Sequence, residues 1–330
     1  MVERDRRIEY LRVAAAFAVV MLHTSAGYLV KIHDSDTMTW WVANFYDAMT
    51  RWSVPVFVLI SGALLLRGTE TFSLFYRKRF GRVVIPLIFW SVFYLIIRLV
   101  VVKNLQLSDL SSVLIRGVPY IHLWYLYMLL GLYLFTPFLR VLVQGLDLRS
   151  GLFLAFLLCL LSSIDLFFGE PAAIFLTRFL PFLGYFIGGY FLCELALPVS
   201  NRCLMVASVV VGLSIFACAG VAMHLYGAQG LALSYDYQNP LVMVLACMIF
   251  VLSRRLCFNS FRVSSLSDCS FGIYLVHPIF LIILGRIFTV HHAGVVFLLI
   301  PLLSLAIFVV SWGAVIFLRR FASGRHILGA

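Results

Sequence analysis

The sequence predicts an all-α fold, a polytopic integral-membrane bundle of about ten transmembrane helices. Three observations carry that expectation. The 330-residue chain is 63% hydrophobic and 12% charged, with a mean hydropathy of +1.04, a balance foreign to soluble domains of this size. Apolar runs of membrane-spanning length recur from one end to the other. Lys and Arg gather in alternate connecting segments, as they do in loops on the cytoplasmic side of a membrane.

The runs fall at approximately 10–30, 43–66, 80–102, 120–143, 151–168, 172–195, 203–225, 239–256, 270–290 and 294–318. The runs 151–168 and 239–256 are the shortest. The longest polar-leaning connections are Arg67–Arg79, Lys103–Pro119 and His224–Asn239. With the N-terminus placed in the cytoplasm, the inner segments collect Arg4, Arg6, Arg7 and Arg12, then Arg67 with Arg77–Arg82, then Arg254, Arg255 and Arg262, then Arg319, Arg320 and Arg325. Arg140 and Arg149 fall on the same side. Lys31, Arg98, Arg178 and Arg286 sit inside or at the edge of spans. Both termini then come out cytoplasmic, as an even number of spans requires. Met1–Arg7 leads straight into the first run, which is expected to be retained and not cleaved as a signal peptide.

No polar stretch is long enough for a second domain, so residues 1–330 form one integral domain. The net charge of +11 then reflects cytoplasmic loops facing an anionic leaflet, not nucleic acid. Seven cysteines, Cys257 among them, all lie in or beside apolar runs and form no C-x-x-C pair. They are expected as small buried residues, with neither a disulfide framework nor a metal site.

Pro55 is expected to weaken or kink the second span. The chemistry is expected where ionisable groups interrupt the apolar runs, because hydrocarbon strongly disfavours them. Arg12 and His23 both lie in the first run. Eleven residues is close to three helical turns, which places them on one face about 16 Å apart along the axis. Depth favours a neutral imidazole at His23, the form a general base needs. The alternative is a packing histidine that donates to a neighbouring carbonyl, with Arg12 a snorkelling residue at the inner end. Glu9, three residues before Arg12, is placed to hold the guanidinium or to favour the helix dipole. Arg77, Lys78, Arg79 and Arg82 precede the third run and read either as a stop-transfer cluster or as a phosphate cradle, with Arg79 and Arg82 on one face. Nothing resembles a glycine-rich phosphate loop, which argues against a nucleoside triphosphate.

Three further groups complete the candidates. Arg51 stands near the outer end of the second run, and Ser61-Gly62 lies further in as a helix-contact pair or a site residue. His122 and Trp124 open the fourth run, as interfacial aromatics or as a sugar-binding pair. Tyr274 and His277 lie one turn apart in the ninth run, as bundle residues or as part of a site. Asp165 and Arg178 also fall in spans, without a specific role.

In this order the pieces resemble the membrane acyltransferase-3 family. Arg12 and His23 match its Arg-x10-His pattern, and Leu11–Ala15, Val54–Gly62, His122–Leu126 and Ser270–His277 resemble further family motifs. Arg82–Pro86 matches its basic stretch loosely. The family usually has Asp where Glu9 stands and often Gly where Val13 stands. Glu keeps the charge on a longer arm, and Val changes packing. The compact chain is similar to stand-alone surface-polysaccharide O-acetyltransferases of the type that modifies enterobacterial common antigen.

The resemblance implies a bacterial inner-membrane enzyme that takes an acetyl group from acetyl-CoA (an acyl-CoA donor). The acceptor is a hydroxyl of a surface glycan or an undecaprenyl-linked sugar precursor, with glycan-assembly machinery as a partner. Arg12 and residues 77–82 would then meet the nucleotide and phosphates. His23 would deprotonate the acceptor or briefly take the acetyl group. Arg12 is too far along the helix to stabilise the oxyanion, which leaves His277 and Ser61 as candidates. Two rivals remain: an exporter of a polysaccharide or lipid-linked sugar on the same scaffold, and a structural subunit of a glycan synthase.

Overall fold

The computed structural model describes residues 5–31, 37–169, 174–256, 263–287 and 292–329. Arg4, Cys257, Arg262 and the side chains of Lys31 and Arg286 lie outside the described residues. Every regular element among the described residues is helical. The helices are α1 (Arg6–Lys31), α2 (Met38–Thr50), α3 (Ser53–Leu65), α4 (Phe72–Ile96), α5 (Leu110–Ile115), α6 (Trp124–Gln144) and α7 (Leu148–Phe168). They continue as α8 (Leu183–Leu192), α9 (Asn201–Tyr235), α10 (Pro240–Arg255), α11 (Ser264–Ile287), α12 (Ala293–Leu318) and α13 (Ala322–Ile327). Among the described residues, nine helical segments are long and apolar enough to cross a membrane. One of them, Asn201–Arg255, holds two of the expected runs as α9 and α10, which pack against each other. The protein is therefore a polytopic helical membrane protein.

Two expectations are corrected. The second run is not one helix kinked at Pro55: α2 ends at Thr50, and α3 restarts at Ser53. Pro55 sits in the first turn of α3, where its missing N–H has no helical acceptor to leave unsatisfied. Residues 224–239 are not a loop. α9 runs on to Tyr235, interrupted at Gly227 by a positive φ of 62° that an L side chain rarely adopts. Its polar composition made a broken helix look like a connection.

The chain divides into two compact units, Met1–Ile60 with Leu192–Ile316, and Ser61–Phe191 with Phe317–Ala330. In the first, α1 packs on α2, α10 and α11, and α2 packs on α9. Small buried residues at Ala15, Ala16 and Ala18 let neighbouring backbones approach α1. The buried core gathers Tyr28, Trp40, Ala43, Ile215, Ala219, Tyr235 and Ile300. The entry to α1 is tied down by ion pairing of Asp5 with Arg254, and by Arg7 donating to the Arg254 carbonyl at 2.7 Å.

In the second unit, α4 packs on α6 and α13. A side chain at Gly62 would strike the Phe186 carbonyl, so the close approach of α3 and α8 requires glycine there. This matches the helix-contact reading of the Ser61-Gly62 pair. The indole of Trp90 donates to the Ile327 carbonyl at 2.9 Å, fixing α13 to α4. Arg140, expected as a topology-setting charge, is buried instead. Its Nε donates to the Leu65 carbonyl at 2.7 Å, and its guanidinium pairs with Glu70 at 3.2 Å. Arg98 likewise donates to the Pro119 carbonyl at 3.0 Å, and Arg178 to the Arg116 carbonyl at 2.7 Å. These three arginines thus serve carbonyls at helix ends or in connections.

Burial alone would raise the Glu70 carboxyl, but a backbone hydrogen bond and the Arg140 guanidinium outweigh it and hold the group below its usual range. A carboxyl held down in this way stabilises the fold above its ordinary pKa, and that stabilisation fades as pH falls through the lowered value. Arg140→Ala removes the tie to the Leu65 carbonyl and to Glu70 and is expected to cost about 1–3 kcal/mol. Thermal unfolding in detergent should show that loss at pH 7. The gap to the parent protein should narrow between about pH 5 and pH 3.

Candidate active site

The first unit brings His23, Arg51, Tyr274 and His277 together from three helices. His23 lies on α1 and is half-buried. Its ring stacks on that of His277 from α11, with centroids 5.3 Å apart and planes 30° apart. Tyr274, one turn earlier on α11, is buried with its ring 6.1 Å from that of His277. Both histidines arise where an apolar helix carries a single imidazole toward its neighbour, which is how polar groups are accommodated between membrane helices.

His277 is fully buried, and its Nδ1 faces the carbonyls of Tyr274 at 2.8 Å and Ile273 at 3.2 Å. Carbonyl oxygens only accept, so Nδ1 carries the proton and Nε2 of the neutral ring keeps its lone pair. The backbone of α11 thereby fixes the tautomer of the ring that lies against His23.

Arg51 completes this cluster, and it brings residues the sequence reading passed over. It pairs with Asp47 one turn earlier on α2, and Asp47 is fully buried. Its guanidinium lies 4.1 Å from the centroid of the Tyr235 ring and donates to the Tyr235 carbonyl at 3.2 Å. The Tyr235 hydroxyl donates to Asn44, and Asn44 Nδ2 donates to the Phe216 carbonyl at 3.1 Å. Tyr237 reaches the same guanidinium. Trp40, Asn44, Asp47 and Arg51 follow i, i+4, i+7, i+11 spacing, so one face of α2 and its C-cap residue Arg51 present them all. Arg51 is close enough for its charge to bear on His23. The available signal was Asp47 itself, an acid inside a spanning run four residues before an arginine.

Arg12 and Glu9 are half-buried near the start of α1. The helix is unbroken between Arg12 and His23, so the expected shared face and separation of about 16 Å stand.

The remaining candidates belong to the second unit. Arg77, Lys78 and Arg82 are exposed and Arg79 is half-buried; all four lie within α4, not before a helix. Ser61 is half-buried in α3. His122 is buried against Tyr94 and Tyr120, with centroids 5.0 and 5.6 Å away, and Tyr94 stacks on Tyr120 at 4.5 Å. Burial pushes the Tyr120 phenol up, with Arg98 opposing, so it stays a hydrogen-bond donor at neutral pH. Trp124 leans on Phe182 at 5.6 Å. Among the described residues, no three His, Cys, Asp or Glu side chains are grouped to hold a metal ion.

Comparison with known proteins decides the class. The profile of the acyltransferase-3 family, described as an acyltransferase domain, matches residues 5–319. The chain belongs to the acyltransferase-3 family. No curated protein and no solved structure matches it. Family membership makes it a membrane acyltransferase, and both the His23–His277 stack and the Asp47–Arg51 pair lie within the matched residues.

Asp47→Leu should destabilise this acyltransferase by about 3–5 kcal/mol, because Arg51 is then left buried without its counter-ion. Asp47→Leu combined with Arg51→Met should recover most of that loss. Thermal unfolding of the purified protein checks both.

Proposed function

We propose that the protein is an inner-membrane O-acyltransferase that moves an acetyl group from acetyl-CoA to a hydroxyl of a surface polysaccharide or its lipid-linked precursor. The observation that carries this reading is His23 held against the tautomer-fixed His277 in a chain of the acyltransferase-3 family.

In this reading the His23 imidazole takes the proton of the acceptor hydroxyl as its oxygen attacks the thioester carbonyl. The carbon–sulfur bond then breaks, the ester remains on the sugar, and the imidazolium returns its proton to the departing thiolate. A covalent variant has His23 accept the acetyl group first and pass it to the hydroxyl. His277 contributes as a positioning residue. Its Nδ1–H is spent on carbonyls, so the neutral ring offers an acceptor at Nε2 and not a donor for the oxyanion. Arg12, with Glu9 beside it, receives the wetter part of the donor about 16 Å along α1 from His23, a reach suited to the slim pantetheine arm. Arg77, Lys78, Arg79 and Arg82, the phosphate-binding candidates from the sequence, belong to the second unit, where Arg is the residue suited to such contacts. The exporter reading has no specific observation in its favour.

His23→Ala, expressed at matched level, should cut acetate on the surface glycan by about 10²–10⁴-fold, the usual contribution of a positioned base. Unchanged acetylation would overturn the proposal, and unchanged acetylation with lost glycan export would favour the exporter. Arg12→Lys should weaken the use of acetyl-CoA if the fork of the guanidinium holds the donor, and full activity would exclude a two-pronged contact.

A further inference from the structure

Within the first unit a cavity of about 330 Å³ is lined by the end of α1, by α2 and by the stretch of α9 beyond its break. This lies at the small end of ligand sites, which run from about 300 to 1,000 Å³. Ala26, Leu29 and Val30 form one wall, and Ala228, Leu231 and Ala232 form another. The polar groups converge from Asp47, Arg51, Tyr235, Asp236 and Tyr237. Gly227 makes this wall possible: its positive φ turns the chain, so that residues 228–235 run as a separate helical stretch.

The chemistry of the lining selects among ligands. Arg51 is the single cation among the described lining residues, and it is already paired with Asp47, while Asp236 adds a second carboxylate. A phosphate would therefore meet more negative than positive charge. Asp47 Oδ2 is buried, and the Ser25 hydroxyl, which also donates to the Met21 and Leu22 carbonyls, is the neighbouring group that reaches the carboxylate. A buried carboxylate oxygen in that position calls for a donor. Hydroxyl groups supply one without adding charge. Tyr235 and Tyr237 bring the apolar ring surface and phenol groups that suit a ligand with both carbon–hydrogen and hydroxyl faces.

The cavity also stands next to the reacting group. Ala26 follows His23 by three residues on unbroken α1, about 4.5 Å further along the axis. A hydroxyl at the inner end of the cavity is thus within one helical turn of the imidazole. We infer that this cavity, bounded by Asp47, Arg51, Tyr235, Asp236 and Tyr237, is the seat of a neutral sugar ring, the acceptor in the transfer. The inference rests on the acyltransfer reading above and adds to it the subsite and the charge and size of the ring it takes, one uncharged hexose-sized unit.

The test uses the full chain in detergent, with surface-glycan oligosaccharides stripped of their acetyl esters by mild base. Ala232→Trp fills the cavity from its exposed rim without touching the ion pair. It should raise the KM for the oligosaccharide at least about tenfold and leave the KM for acetyl-CoA unchanged. Ala228→Trp should do the same from the adjoining turn, which guards against one variant failing to fold. In parallel, the oligosaccharides should slow hydrogen exchange across residues 228–237, and inorganic phosphate should not. Unchanged acceptor KM in both variants, a shift confined to acetyl-CoA, or protection by phosphate alone would overturn the inference. Protection at 228–237 without any acetyl transfer by the parent protein would keep the sugar cavity and sink the acyltransfer reading instead. Loss of transfer in His23→Ala with protection intact would support both.

Discussion

A fully buried carboxylate beside an arginine is the constraint on which the first unit turns. Two ions taken out of water repay their desolvation only when each also finds further partners. Asp47 and Arg51 meet that condition unequally. Arg51 is satisfied by Asp47, by the Tyr235 carbonyl and by the face of the Tyr235 ring. Asp47 has the Arg51 guanidinium on one oxygen and the small Ser25 hydroxyl as its further neighbour. The pair therefore anchors α2 to the end of α9 beside the cavity.

The histidine stack follows a similar logic. His277 is held by carbonyls of its own helix, so its orientation is set by α11 and does not depend on a ligand. His23 lies against that fixed ring and one turn from the cavity wall. In the proposed mechanism such a base is positioned before substrate arrives, an arrangement that limits reorganisation during proton transfer.

Much of this was legible in the sequence, because charged and polar groups are rare in spanning runs and each stands out. His23, Arg51, Tyr274 and His277 were singled out on that ground, and the structure gathers them in one unit. Asp47 escaped notice because its neighbours Asn44 and Thr50 make the stretch look like the polar start of a span. Arg140 was legible as a charge but not as a tie, since its partners are the Leu65 carbonyl and Glu70, far away in sequence. The break in the second run was placed at Pro55, whereas the chain stops at Thr50 and restarts at Ser53. Proline marks a boundary, but it sits inside the new first turn. The polar ends of His224–Asn239 read as a connection, which hides the helical stretch that forms the far wall of the cavity.

The central claim is that acyl transfer takes place at His23, beside the cavity that Asp47 and Arg51 close. A structure with a non-hydrolysable acetyl-CoA analogue bound tests it most directly. The account predicts the thioester-mimicking carbonyl carbon in contact with the His23 ring, and the pantetheine arm running along α1 toward Arg12. An acyl group resting away from His23, with that ring still stacked on His277 and untouched by the ligand, would contradict it.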